Sequence, residues 1–166
     1  MSTTENLKAA FAGESQANRK YLAFAKKAEA DGLPQIAKLF RATAEAETVH
    51  ALNHLRALGG VKSTPENLQE AIAGEKYEFT EMYPGFVAEA ERDGNKVALM
   101  SLKSAMAVEQ THHGLYSQAL ASLQTGKDLP SAALHVCPIC GHTVIGEAPD
   151  KCPVCGAPKA RFLLIA

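Results

Sequence analysis

The chain contains no tryptophan, few aromatic residues and only four cysteines in 166 residues. Alanine, leucine, glutamate and lysine dominate instead, a helix-forming composition. Basic and acidic residues nearly cancel, leaving a net charge of −1. Nothing therefore predicts a nucleic-acid partner or an anionic membrane surface. No apolar run approaches the roughly 20 residues of a membrane span. The start, Met-Ser-Thr-Thr-Glu, lacks the basic region and apolar core of a signal peptide. The expectation is a cytoplasmic chain. In that reducing compartment four cysteines point to metal binding rather than disulfides. The length suits one medium domain with a small appendage, and a 46% hydrophobic content supports a core.

Four long helices are expected. The first starts at Thr3 or Thr4 behind a Ser2–Glu5 capping box and ends at Asp31-Gly32. The second runs from about Leu33 to Leu58, with Pro34 in its first turn, and stops at Gly59-Gly60. The third starts at Pro65 behind Ser63 or Thr64 and reaches about Arg92, before Asp93-Gly94. The fourth covers about Asn95 to Leu123. Residues 1–124 thus form an all-α four-helix domain, 125–134 a linker, and 135–166 a small cysteine-bearing domain.

Chemistry enters with Glu47 and His50. Residues three apart share a helix face, and here that face is an apolar stripe: Ile36, Phe40, Thr43, Glu47, His50, His54. Burying an ionised carboxylate is costly unless it is paired or ligates a metal. One such pair is ordinarily an exposed couple. The motif returns, however, as Glu109 and His112 on the stripe Leu99, Leu102, Met106, Glu109, His112, Tyr116, Leu120. The helical part is an internal repeat. Ala12-Gly13-Glu14 returns as Ala73-Gly74-Glu75, and Asp31-Gly32 returns as Asp93-Gly94. The offset is 61 residues at the first acid and 62 at the Asp-Gly stop. One extra residue therefore lies inside the third helix, absorbed as a π-bulge near Pro84 or as a shift in the loop. Each half supplies a helix with one Glu, then a helix with Glu-x-x-His. That is the inventory of a carboxylate-bridged two-metal site in a four-helix bundle. Glu14, Glu47, His50, Glu75, Glu109 and His112 make up the set, and their oxygen and imidazole donors suit iron or manganese.

Glu78 shares a face with Glu75 and is a further candidate, whereas Glu81 reads as solvated. Tyr21 and Tyr83 are repeat equivalents expected to point inward, as core residues or as phenols bonded to metal carboxylates. His54, His113, His135 and His142 have no repeat partner and read as surface residues or as neighbours of ligands. In the tail, Cys137-x-x-Cys140-Gly and Cys152-x-x-Cys155-Gly aim four thiolates at one metal. The spacing alone does not separate a zinc ribbon from a redox iron site. About thirty residues must draw much of their stability from that metal.

At this point the sequence resembles the rubrerythrin family over nearly its whole length. The motifs are Ala-Phe-Ala-Gly-Glu14-Ser-Gln, Glu47-x-x-His50, Gly-Glu75-x-x-Glu78-x-x-Glu-Met-Tyr83-Pro, Glu109-x-x-His112 and the four cysteines. The resemblance implies a ferritin-like bundle with a non-haem diiron site, joined to a rubredoxin-like domain that holds one iron on four cysteines. It implies reduction of hydrogen peroxide in the cytoplasm, with electrons that start on NAD(P)H and arrive through a reductase or a rubredoxin. The implied diiron ligands are Glu14, Glu47, His50, Glu75, Glu78, Glu109 and His112. The implied ligands of the single iron are Cys137, Cys140, Cys152 and Cys155, with zinc as a substitute metal. Glu78, His50, Tyr21 and Tyr83 carry the implied catalytic roles, one iron exchanging Glu78 for His50 on reduction. His142 replaces the tyrosine usual after the first Cys-Gly, a departure that bears on the potential of that iron. The connection between the second and third helices is shorter than in the best-known members.

Two other readings share these motifs: a ferritin-like iron oxidase and store, and a helical scaffold with a zinc ribbon. The short connection also constrains assembly. In ferritin-like folds the second and third helices run parallel. The chain would then have to return roughly 28 Å along the axis, at about 1.5 Å per helical residue. The six steps from Gly59 to Pro65 span at most about 21 Å. The expected assembly is therefore a domain-swapped homodimer. Each of its diiron sites takes Glu14, Glu47 and His50 from one chain and Glu75, Glu78, Glu109 and His112 from the other. The alternative is an antiparallel hairpin of the two helices within one chain.

Overall fold

The computed structural model describes residues 2–165. Met1 and Ala166, the outer limits of the two expected domains, lie outside the described residues. The chain folds as two compact units, one up to Lys62 and one from Ser63 onward.

The first unit is a hairpin of α1 (Thr3–Ala30) and α2 (Pro34–Ala57). The Ser2–Glu5 capping box forms as expected and satisfies two of the backbone N–H groups that a helix start leaves open. Gly32, at φ 74°, supplies the left-handed residue that ends α1. The seam is made of small residues: Ala25 and Ala28 on α1 meet a row of Ala37, Ala44 and Ala51 on α2. One polar residue is buried with them. Asn18 donates through Nδ2 to the Ala44 carbonyl at 2.7 Å and to the Thr48 hydroxyl at 2.8 Å, which sets how α1 lies on α2.

The stripe from Ile36 to His54 is only partly covered by α1. Phe40 packs on Tyr21 and Phe24 of α1, and Phe40, Thr43, Glu47 and His54 are half-buried. Ile36 is 47% exposed, and the His50 side chain is 54% exposed. Two helices bury a single seam between them, and the alanine row wins because small side chains let the backbones approach.

The second unit is built on α5 (Lys96–Gln124), against which α3 (Thr64–Tyr77) and α4 (Tyr83–Arg92) pack. Ser63 caps α3, and Glu66 reaches back to the Ser63 N–H at 3.1 Å. Between α3 and α4 the helix does not break. Residues Glu78–Met82 form a π-helix, and Pro84 stands in the first turn after it. The extra residue inferred from the repeat is therefore absorbed as a π-bulge rather than in a loop. His113, on α5, is half-buried and lies edge-on to Phe79 of the π segment, ring centroids 5.6 Å apart.

After α5 the chain forms a three-stranded antiparallel sheet in the order β2-β1-β3. Its strands are β1 (Leu134–Val136), β2 (Thr143–Ile145) and β3 (Leu163–Ile165). The core of this part is small: Cys137, Cys152 and Ala157, flanked by Cys140, Val154 and Phe162. His135 ties β1 to the following turn, its Nδ1–H donating to the Gly146 carbonyl at 2.8 Å. β2 rests on α5.

Deleting Thr80, an exposed residue of the π segment, should restore a continuous α-helix. The flanking turns would keep their phase, as in the first half of the repeat, and the widened turn that carries Glu78 would be lost. Circular dichroism should show helix content unchanged, while iron uptake falls sharply. Undiminished iron binding would mean that the π segment does not position the site.

Candidate metal centres

Three clusters of metal-ligating side chains are present among the described residues. The first unit supplies Glu14 from α1 with Glu47 and His50 from α2, their donor atoms within 4.8 Å of one another. His50 Nδ1 lies 2.8 Å from Glu47 Oε2. Asn18, one turn beyond Glu14, clamps the two helices beside Glu47 and so fixes the spacing of the acids. Tyr21, one further turn along, is held by aromatic packing against Phe24 and Phe40, at 6.3 and 6.2 Å between centroids.

The second unit repeats the arrangement. Glu75 from α3 meets Glu109 and His112 from α5, again with donor atoms within 4.8 Å. His112 Nδ1 lies 2.8 Å from Glu109 Oε2 and 3.9 Å from Glu75 Oε1. The histidine is better covered than its counterpart, His112 being 26% exposed against 54% for His50, while the acids are alike. The cost of gathering acids shows in the Glu75 carboxyl. Burial, then the Glu109 charge and the hydrogen bond that the protonated Glu75 donates to Glu109, push it up to about 7. Glu78, on the π segment, lies outside the tight cluster but feels it: burial and the Glu109 charge raise its pKa as well. The Tyr83 phenol is raised by burial and then by the charges of Glu78, Glu109 and Glu75.

The third cluster is Cys137, Cys140, Cys152 and Cys155. All four are free thiols. The Sγ atoms of Cys137 and Cys155 lie 3.6 Å apart, and those of Cys140 and Cys152 3.5 Å apart. A metal with bonds of about 2.3 Å to four sulfurs needs tetrahedron edges of about 3.8 Å, so the thiols stand close to the required shape. Backbone amides are aimed at the sulfurs. Burial opposes ionisation of Cys137, but the N–H groups of Cys140 and Ile139 prevail and bring its pKa down to about 7. The His142 N–H similarly points at Cys140, although burial keeps that thiol above its ordinary range.

A family model described as rubrerythrin matches residues 5–120, and one described as rubrerythrin, rubredoxin-like domain, matches residues 135–163. The chain belongs to the rubrerythrin family. Nigerythrin of Nitratidesulfovibrio vulgaris is 41% identical over 175 residues, covering 97% of this chain and 85% of that protein. Rubrerythrin-2 of Clostridium acetobutylicum is 33% identical over 174 residues, covering 96% of this chain and 95% of that protein. Among solved structures, the fully reduced, all-ferrous state of nigerythrin is similar with a TM-score of 0.59. That match is 37% identical and covers 99% of this chain and 87% of that one. The fold class is therefore the rubrerythrin one: a helical ferritin-like part and a small rubredoxin-like domain. The family's cofactors are a diiron site and a rubredoxin-like iron on four cysteines, and the donor sets in this chain fit both. No helix of the described residues is long and apolar enough to cross a membrane.

Two residues with a part in these sites were not picked out from the sequence. Asn18 had a visible signal, a polar residue four positions after Glu14 on an apolar face. Thr143 had none. Its hydroxyl meets His112 Nε2 at 3.0 Å only because the tail folds back onto α5. His142, read as a surface residue or a neighbour of a ligand, is half-buried, its Nδ1 buried without a partner among the described residues. Burial and then the His112 charge lower its pKa, so its ring stands near that ligand.

The raised Glu75 carboxyl gives a test in the metal-free protein. A carboxyl raised in the fold contributes stability fully present below the unfolded pKa and lost as pH climbs through the folded one. The window here runs from about 4.5 to about 7. Glu75→Gln should match the wild-type melting temperature at the bottom of that window. Its unfolding free energy should exceed the wild-type value at pH 8, by at most roughly 3 kcal/mol before solvent screening. Equal pH dependence of the two proteins would show that Glu75 is not held against Glu109.

Proposed function

We propose that the chain is a cytoplasmic peroxidase that reduces hydrogen peroxide to water with electrons relayed through its four-cysteine iron, ultimately from NAD(P)H by way of a reductase or a rubredoxin. The observation that carries this reading is the four-cysteine cluster in the same compact unit as Glu75, Glu109 and His112. An iron store has no use for a thiolate iron beside its carboxylates. The mixed-valence and all-ferrous states of nigerythrin belong to a relative whose irons change oxidation state.

The seven residues Glu14, Glu47, His50, Glu75, Glu78, Glu109 and His112 hold the diiron site, and the four cysteines hold the single iron. When bound, the ferrous pair supplies the two electrons that cleave the O–O bond, and the thiolate-bound iron restores them singly. The side chains do the rest. Glu75 and Glu109 bring carboxylate charge to a half-buried position where only a cation neutralises it. Glu78, on the π segment beside that cluster, is the carboxylate that exchanges with His50. Reduction removes positive charge, and a neutral imidazole then suits the site better than another carboxylate. Tyr83, whose proton burial and three acids hold tightly, stays a donor and hydrogen-bonds at the acids rather than ionising. Tyr21 occupies the equivalent place in the other half of the repeat.

The reading includes a domain-swapped homodimer. Each compact unit carries one Glu from its first helix and one Glu-x-x-His from its second, half of a diiron set. The division between the units falls at Lys62, inside the connection too short for a parallel return. Mixing Glu47→Ala chains with Glu109→Ala chains should restore part of the activity, because in a swapped heterodimer one site loses both ligands and the other stays whole. No recovery on mixing, with heterodimers confirmed by mass, would count against the exchange.

Cys152→Ser should remove the red thiolate–iron band and abolish NAD(P)H-linked turnover. A chemically reduced sample should still consume one equivalent of peroxide. Unchanged turnover with the full electron chain would make the tail structural. A colourless protein with one zinc and no iron would favour a scaffold instead.

A further inference from the structure

We propose that Thr143 is a positioning residue that joins the two metal centres of one chain. Its hydroxyl links the outer nitrogen of His112 to the Cys137–Cys140 turn and completes a hydrogen-bonded route for electrons into the diiron site. The proposal rests on the metal assignment and peroxidase reading above.

Hydrogen-bond bookkeeping carries it. Thr143 Oγ1 lies 3.1 Å from the Gly141 carbonyl and 3.0 Å from His112 Nε2. A hydroxyl has one proton to give, and a carbonyl only accepts. The Thr143 proton therefore goes to Gly141, and Oγ1 accepts from His112 Nε2–H. With its proton on Nε2, a neutral His112 has its lone pair on Nδ1, the nitrogen that faces Glu109 and Glu75. That is the tautomer a metal between those groups requires. The threonine thus orients the imidazole and selects its donor atom.

The same contact closes a path. Gly141 follows Cys140 through one peptide bond, so the route from Sγ of Cys140 runs along the backbone to the Gly141 carbonyl. It then crosses two hydrogen bonds to the imidazole of His112. Gly141 has φ 89°, a conformation that favours glycine, and its Cα faces α5: an added Cβ would stand in ordinary contact with Val108 Cγ1, at 3.7 Å. Val108 is buried one turn before His112 on α5, so the turn seats on the helix that carries the ligand. A cavity of about 360 Å3 borders the contact, and its lining by Leu68, Leu115, Leu134 and Ile145 is apolar.

Each transfer moves one electron. The ferrous iron of the thiolate site becomes ferric, and one ferric ion of the pair becomes ferrous. No bond in Thr143, Gly141 or His112 breaks. Two transfers restore the pair after one peroxide, and the one-electron protein reductant recharges the thiolate-bound iron between them.

The test uses the iron-loaded full chain. A flash of photoexcited deazaflavin reduces the thiolate-bound iron of the all-ferric protein, and the return of its absorption band reports the electron leaving. Thr143→Val should slow that return roughly tenfold, the scale of losing a ligand's outer hydrogen bond. Thr143→Ser should restore it. In protein loaded with diamagnetic zinc, the His112 Nε2–H proton should exchange slowly with solvent in the wild type and in Thr143→Ser, and rapidly in Thr143→Val. An unchanged return rate in Thr143→Val, or no transfer at all in the wild type, would overturn the proposal. Mixing the all-ferrous wild type with peroxide judges the peroxidase reading separately: it fails if peroxide survives, whatever the flash shows.

Discussion

Carboxylates pressed against one another at a helix seam are unstable unless something positive lies between them. Glu75 and Glu109 are in that position, and the Glu75 carboxyl retains its proton up to about pH 7 as a result. A proton relieves one charge; a divalent cation relieves two and also satisfies the free lone pairs. The rest of the helical architecture follows from holding such acids in place without metal. The helices are long, the seam is alanine-lined, and a buried asparagine fixes the register beside Glu47. Each device lowers the freedom of the ligands before an ion arrives, and a preorganised donor set binds with less reorganisation.

The rubredoxin-like part obeys the opposite logic. Its core is three buried residues with a few flanking side chains, too little to order some thirty residues by hydrophobic burial alone. The sulfur atoms already stand near tetrahedral spacing, and backbone amides are turned toward them. Much of the stability of this segment therefore comes with its metal, and the helical part holds the folded turn against α5 through Gly141 and Val108. The two centres are mechanically linked as well as close.

Most of the fold was legible in the sequence because the information is periodic. The helix stops at Asp31-Gly32 and Asp93-Gly94, the capping box at Ser2 and the change of offset from 61 to 62 are local signals, and the last of them located a π-helix. The metal donors were legible for the same reason: acids and imidazoles on apolar stripes violate a pattern. What escaped depends on packing between elements. A stripe pattern does not say how much of a row its neighbours cover, so the alanine row of α2 is buried while the row through Ile36 is only partly so. Thr143 belongs to a strand formed 31 residues after His112, and no spacing rule connects them.

The duplication is informative where it fails. Glu14 with Glu47 and His50 mirrors Glu75 with Glu109 and His112, down to a 2.8 Å contact between Nδ1 and the neighbouring acid in both halves. Two differences break the mirror. The second half has an extra residue, which opens the π segment and brings Glu78 beside the acids. It also has Thr143 on the outer nitrogen of its histidine, whereas His50 hydrogen-bonds only Glu47 among the described residues. A ligand tied at both nitrogens stays where it is; one tied at a single nitrogen swings at little cost. On the proposed reading, the pair that exchanges during turnover is Glu78 and His50. These are the carboxylate that the first half lacks and the imidazole that the tail leaves untethered. The asymmetry needed for a moving ligand thus arises from one inserted residue and one appended domain, added to an otherwise symmetric pair of hairpins.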